Sequence, residues 1–150
     1  MDELYLELVA ICLVRTRDLS TDKLLTIWPS IRWTKAIGYH DYEGVAINTD
    51  EQARLVRDLG DHAGMILRNH GLLVVGGSIP EAFYNIFKLE RACQAQVAAL
   101  SCNVELQLSP DEVVNESYRF YLPTARRPFG VLEWPALLRK LDKIDRSYRD

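Results

Sequence analysis

Residues 64–83, GMILRNHGLLVVGGSIPEAF, contain two apolar runs of strand length, 65–67 and 72–75, separated by a polar turn. This pattern predicts two strands, or one strand with a kink. His70 lies in the turn, where two buried strands would fix its imidazole, so it is a candidate metal ligand. Asn69 and Gly71 would support the turn, Asn69 by a hydrogen bond across it and Gly71 by letting the backbone bend. The alternative for His70 is a structural histidine.

A long helix is predicted directly after Gly76 and Gly77. Ser78 and Glu81 have the spacing of a capping box, and Pro80 falls in the first turn, where its missing N–H does no harm. Apolar residues then recur every three or four positions over about six turns. They are Ile79, Phe83, Ile86, Leu89, Cys93, Val97 and Leu100.

Three further helices are suggested by caps and periodicity. Thr49 and Gln52 form a second possible capping box, which predicts a helix of about ten residues ending at Gly60. Ser109 is the expected cap of a third helix, with Pro110 at its first position. Residues 132–150 predict a short amphipathic helix with a charged tail. The apolar face of the helix before Gly60 would consist of Ala53, Leu55, Val56 and Leu59.

The first 49 residues give weaker signals. Residues 4–14 are apolar and fit either a buried strand or a short helix. The stretch that follows has scattered aromatic residues and Pro29, which predicts loops with short extended pieces at 24–28 and 44–47.

Composition sets the broad class of the protein. The chain has 150 residues, 48% of them apolar, and a formal net charge of -3, which predicts one domain. Its charges form no basic stripe, so nucleic acid is not an expected partner. Three cysteines without CxxC spacing argue against a disulfide framework and favour a reducing cytoplasm. No stretch has the length of a membrane span or the pattern of a signal peptide.

Other polar residues have ordinary interpretations beside functional ones. We expect His62 to be solvated, and His40 to make a loop hydrogen bond near Asp41 and Glu43 rather than bind metal. Glu43 could act as a base only if it were buried. We expect Glu43 to be an exposed turn residue. Glu90 would pair along its helix or face the interior.

Residues 37–99 resemble the C-terminal half of a class II aldolase/adducin domain. The resemblance rests on ILRNHGLLVVG, on the EAF helix start and on LERACQAQ, while LEWPALLRKLD resembles the tail of bacterial members. On this basis residues 1–150 are expected to form a single partial domain, with the family match strongest at 37–100. The implied fold class is α/β: an αβα layered domain with a central, mostly antiparallel sheet flanked by helices, incomplete at its N-terminus.

The resemblance also implies a chemistry and an assembly. Members of this family commonly form homotetramers, and the enzymes use zinc or another divalent metal to stabilise an enediolate. Their substrates are small sugars, often phosphorylated, or hydroxy acids. By position, His70 matches the third histidine ligand of the family.

The family's HxH motif, which supplies two more ligands, is missing from the sequence, and VRTR at 14–17 does not replace it. We therefore expect a truncated family member without a complete metal site and with weak or no catalysis. One alternative is a metal-dependent aldolase or epimerase whose other ligands lie upstream of this chain. A second is a non-enzymatic, adducin-like scaffold for oligomerisation and actin binding.

Overall fold

The computed structural model describes residues 30–44, 50–125 and 127–149. The predictions for 4–14 and 24–28, and for Thr49 as a cap, lie outside these residues, as does the piece at 44–47 apart from Gly44. Within them a small sheet is flanked by helices, so the α/β class is confirmed.

The sheet has three strands, β1 (Ile37–His40), β2 (Gly64–Leu67) and β3 (Gly71–Val74), in the order β1-β2-β3. Strand β1 is parallel to β2, and β2 is antiparallel to β3. The prediction of loops and extended pieces missed β1 and a 3₁₀ turn over Ser30–Trp33. Strand β1 is four residues long and mostly buried, so it lacks the polar alternation that marks longer strands.

A tight turn joins β2 to β3, which confirms the prediction of two strands. The amide of His70 donates to the carbonyl of Leu67 over 3.0 Å. Asn69 has φ = 56°, in the left-handed region that asparagine enters more readily than most residues. The sequence RNHG therefore makes a turn because its second residue accepts this conformation.

Helix α1 (Asp50–Leu59) connects β1 to β2 and ends at Gly60, as predicted. Gly60 has φ = 49° and its amide donates to the carbonyl of Val56, which is a left-handed helix end. The predicted apolar face is only half right. Leu55 and Leu59 pack against the sheet, whereas Ala53 and Val56 are exposed.

Helix α2 (Ile79–Ser101) is the predicted long helix. The Ser78 hydroxyl accepts from the amide of Glu81 over 3.3 Å, and the Glu81 carboxylate accepts from the amide of Gly77 over 3.1 Å. The predicted apolar stripe is wrong at both ends, where Ile79, Phe83 and Leu100 are exposed, because the buried face runs through small and amide residues instead. The buried residues are Ala82, Asn85, Leu89, Ala92, Cys93 and Gln96.

Helices α3 (Asp111–Arg119) and α4 (Glu133–Leu141) follow. Ser109 was the predicted cap of α3, but Pro110 holds that position in an extended conformation, with φ = -57° and ψ = 145°, and no side chain caps the helix. The helix thus begins one residue later, since Pro110 stands before its first turn rather than in it. In the described parts of the chain, no helix is long and apolar enough to cross a bilayer.

The side chains of the sheet alternate between two layers. Ile66, Leu72 and Val74 face α2 and join one core cluster, which includes Trp33 and Leu89. The alternate residues face α1 and form the second cluster. These are Met65, Leu67 and Leu73, packed with Leu55 and Leu59.

Candidate functional site

The candidate site lies where β1 and β2 end together. His40, the last residue of β1, is in register with Leu67, the last residue of β2. The amide of Arg68 donates to the carbonyl of His40 over 2.9 Å, so the hairpin turn begins beside His40. The parallel pairing therefore brings the segment after β1 and the turn that holds His70 to one edge of the sheet.

His70 is half-buried in that turn. Its ring centroid lies 6.5 Å from that of Tyr42, with the rings tilted by 59°. Gly71 pairs with Leu67 to open β3. The turn predicted over Asn69, His70 and Gly71 is present. It places His70 between the end of β2 and the start of β3.

His40 is buried, with 4% of its surface exposed, so the expectation of a loop histidine is wrong. Its Nδ1 lies 2.8 Å from a carboxylate oxygen of Asp58 on α1. Its Nε2 lies 3.5 Å from Glu51 and 3.9 Å from Glu43. Pattern reasoning placed His40 near Glu43 but missed Asp58 and Glu51, because a crossover helix brings them back to β1.

Two carboxylates of this cluster have lowered pKa values. The hydrogen bond from His40 is the largest cause that lowers the pKa of Asp58, and Arg57 adds to it. Asp58 therefore contributes stability above the ordinary aspartate pKa, and this contribution is lost as the pH falls through the folded value. Arg54 forks onto both oxygens of Glu43 and lowers its pKa, so this exposed residue is a weak base.

The remaining candidates lie elsewhere. His62 was expected to be solvated, but it is half-buried and its Nδ1 lies 2.8 Å from the carbonyl oxygen of Leu59, before β2 begins. Glu90 accepts from Gln94 along α2 over 2.7 Å. Burial, with a smaller effect of Glu90, raises the pKa of the Cys93 thiol to about 12, so this cysteine stays protonated and unreactive.

Sequence reasoning missed a buried cation. Arg32 is 8% exposed, and its guanidinium lies 4.4 Å from the ring centroid of Trp33 and 4.2 Å from that of Phe129. It donates to the side-chain oxygen of Asn85 over 2.7 Å. Arginine beside tryptophan is the only local hint, since Asn85 and Phe129 are far along the chain.

The residues at the sheet edge do not fit a zinc centre. In the ranges that the structure describes, no group of three or more His, Cys, Asp or Glu side chains is arranged to hold a metal ion. The ring of His70 has Tyr42 beside it, and the nearby Arg68 carries a positive charge that pairs with Asp41. A tightly bound zinc ion needs three protein ligands or more, and the two histidines of this edge, His40 and His70, belong to no such group among the described residues.

Known proteins are similar to this chain in both sequence and structure. The family described as "Class II Aldolase and Adducin N-terminal domain" matches residues 7–97. A putative aldolase class 2 protein of Pseudomonas aeruginosa is 45% identical over 117 residues, which cover 76% of this chain and 45% of that protein. Alpha-adducin of Rattus norvegicus is 34% identical over 137 residues, covering 81% of this chain and 18% of its own length.

Two solved structures share the fold. An aldolase II superfamily protein from Pseudomonas syringae has a TM-score of 0.79 and 42% identity, covering 87% of this chain and 53% of that chain. An L-fuculose 1-phosphate aldolase from Glaciozyma antarctica has a TM-score of 0.56 at 22% identity, over 69% of this chain and 38% of its own, and shows the fold alone.

The chain spans about half the length of the bacterial relatives it matches. Its family match also extends upstream of Ile37, where the resemblance read from the sequence begins. Because the match covers more than half of the residues and agrees with the structural likeness, the chain belongs to the class II aldolase and adducin family.

Proposed function

We propose that this chain keeps the fold of its family without a complete metal centre, and that by itself it catalyses aldol chemistry weakly or not at all. The fate of its three histidines supports this proposal. Nδ1 of His40 is engaged by Asp58, and Nδ1 of His62 lies against the Leu59 carbonyl. These Nδ1 contacts leave each Nε2 open to a metal, but among the described residues no histidine belongs to a set of three possible ligands. The family resemblance places one ligand of three at His70.

A zinc titration tests the proposal. After dialysis against zinc and then against metal-free buffer, we expect less than about 0.1 equivalent of zinc on the 150-residue chain, because one imidazole does not hold the ion. His70→Ala should leave this value unchanged, and His62→Ala is the matched control. Near-stoichiometric zinc that is lost in His70→Ala but kept in His62→Ala would overturn the proposal.

The alternative enzyme would have its other ligands outside this chain, and its substrates would be small sugar phosphates or hydroxy acids. The intact mass of the native protein tests this alternative. A longer native chain that carries an HxH motif and binds zinc would favour a metal-dependent aldolase or epimerase. The aldolase names of the bacterial relatives make this the main competing function.

A second candidate function is assembly with further copies of the chain, as the family resemblance implies. An apolar groove of about 520 Å³ lies between α2 and α4. Aromatic residues are enriched at protein interfaces, and exposed apolar patches of this kind commonly mark them. The groove is lined by Pro80, Phe83, Tyr84, Phe87, Trp134 and Leu137, among others.

We expect the purified chain to be oligomeric by light scattering at micromolar concentration. Leu137→Arg places a charge in the groove, and it should shift the population to monomers because the charge would be buried without a partner in the interface. Val56→Arg on α1, which lies outside the groove, is the control and should leave the mass unchanged. A wild-type monomer would contradict assembly.

We also place the protein in a reducing cytoplasm, where its free Cys93 and Cys102 would stay reduced.

A further inference from the structure

Helix α1 packs on the sheet, and one of its contacts is with a buried histidine of β1. None of the α1 residues is fully buried, and its apolar attachment consists of Leu55 and Leu59. On the side of β1, the backbone of Asp58 lies close to Gly38, and the Asp58 side chain makes a 2.8 Å hydrogen bond with His40. His40 is therefore one of the residues that hold α1 against β1.

The second ring nitrogen of His40 is in an unusual place. Its Nε2 is buried, and within the described residues it has no hydrogen-bond partner. The nearest charged atoms are carboxylate oxygens, of Glu51 at 3.5 Å and of Glu43 at 3.9 Å. A neutral imidazole that donates from Nδ1 to Asp58 would turn its Nε2 lone pair toward these negative groups.

Among the described residues, two arginines offset part of the negative charge around His40. Arg54 is engaged with Glu43, and Arg57 contacts Asp58 from the exposed side of α1. On β2 the neighbour of His40 is the uncharged Leu67, while Arg68 pairs with Asp41.

We propose that protonation of His40 fastens helix α1 to strand β1, so that docking of this helix responds to pH. The imidazolium can donate from both nitrogens, with Nδ1–H to Asp58 and Nε2–H directed at Glu51. Loss of the proton removes the Nε2–H donor. The lone pair of Nε2 then faces the negatively charged carboxylate of Glu51. The helix then keeps the hydrogen bond to Nδ1 and its packing on the sheet.

Nuclear magnetic resonance on the whole chain tests the proposal in two readouts from one sample. The imidazole resonance of His40 reports its protonation, and amide hydrogen exchange reports the opening of α1. After correction for the intrinsic pH dependence of exchange, α1 amides should exchange about tenfold faster once His40 has lost its proton, as for one charge-assisted hydrogen bond. The proposal would be overturned if the exchange rate of the α1 amides did not change as His40 loses its proton.

The variant Glu51→Gln gives a sharper test, because its carboxamide can donate to a deprotonated Nε2. We expect α1 of this variant to be less protected than wild type on the acidic side of the His40 titration and more protected on the alkaline side. Glu116→Gln, an exposed change of equal charge on α3, should give no such crossing. If the protection of the α1 amides changed with pH in the same way in Glu51→Gln and in wild type, the proposal would be contradicted, even if both proteins are fully folded.

Discussion

Replacing Leu89 with alanine is expected to lower the free energy of unfolding by about 2–5 kcal/mol. Leu89 has no exposed surface, and it lies in the cluster where α2 packs on the sheet face formed by Ile66, Leu72 and Val74. Truncation removes its buried apolar surface and leaves a cavity that a rigid sheet closes only in part. Urea denaturation followed by circular dichroism measures the loss.

Leu108→Ala is the matched control, because it makes the same chemical change at a residue with 51% exposure. Its cost should stay within about 0.5 kcal/mol, as for most surface substitutions. The slope of the denaturation curve should be the same for both variants, since the compactness of the unfolded chain does not change. Equal losses at positions 89 and 108 would contradict the placement of Leu89 in the core.

Replacing Gly130 with alanine is expected to cost about 3 kcal/mol and to release α4 from α2. Gly130 has φ = 83°, and a Cβ built there would lie 2.3 Å from the carbonyl oxygen of Pro80. The clash falls on backbone at the first turn of α2, which has little room to move. The amide of Trp134 donates to the carbonyl of Gly130 over 2.8 Å, so the strain acts directly on the start of α4.

Gly44→Ala separates the cost of the left-handed backbone conformation from the cost of the steric clash. Gly44 also has a positive φ, of 100°, but a Cβ there would meet nothing within 4 Å. It should therefore show only the conformational penalty, about 1 kcal/mol. Hydrogen exchange of α4 amides reports the local release in Gly130→Ala. Similar effects of the two substitutions would mean that the contact with Pro80 does not hold α4 in place.

The elements with complete local signals could be predicted from the sequence. The hairpin at RNHG has two apolar runs and a residue that tolerates the left-handed region, and α2 has a serine cap and a proline in its first turn. Each of these signals lies within a few residues of the structure it determines. The bounds of α1 were predicted for the same reason, because Gly60 ends the helix.

The missed features depend on residues that are distant in the sequence. His40 gains Asp58 only because α1 returns antiparallel to the strand before it, and Arg32 gains Asn85 from α2. Neither pair has a spacing that a pattern search would recognise. The buried face of α2 was misjudged in the same way, since Asn85 is buried where its amide donates to the carbonyl of Val75 over 2.9 Å.

The two-layer packing of the sheet has a consequence for folding during synthesis. Residues 37–74 supply β1, α1, β2 and β3 from one continuous stretch, so these contacts form between near neighbours in the chain. Among the described elements, α2 covers the opposite face of the sheet, and it is made later. During synthesis there is therefore an interval in which Ile66, Leu72 and Val74 lie in strands that α2 does not yet cover. In this interval the chain is most prone to associate with other chains.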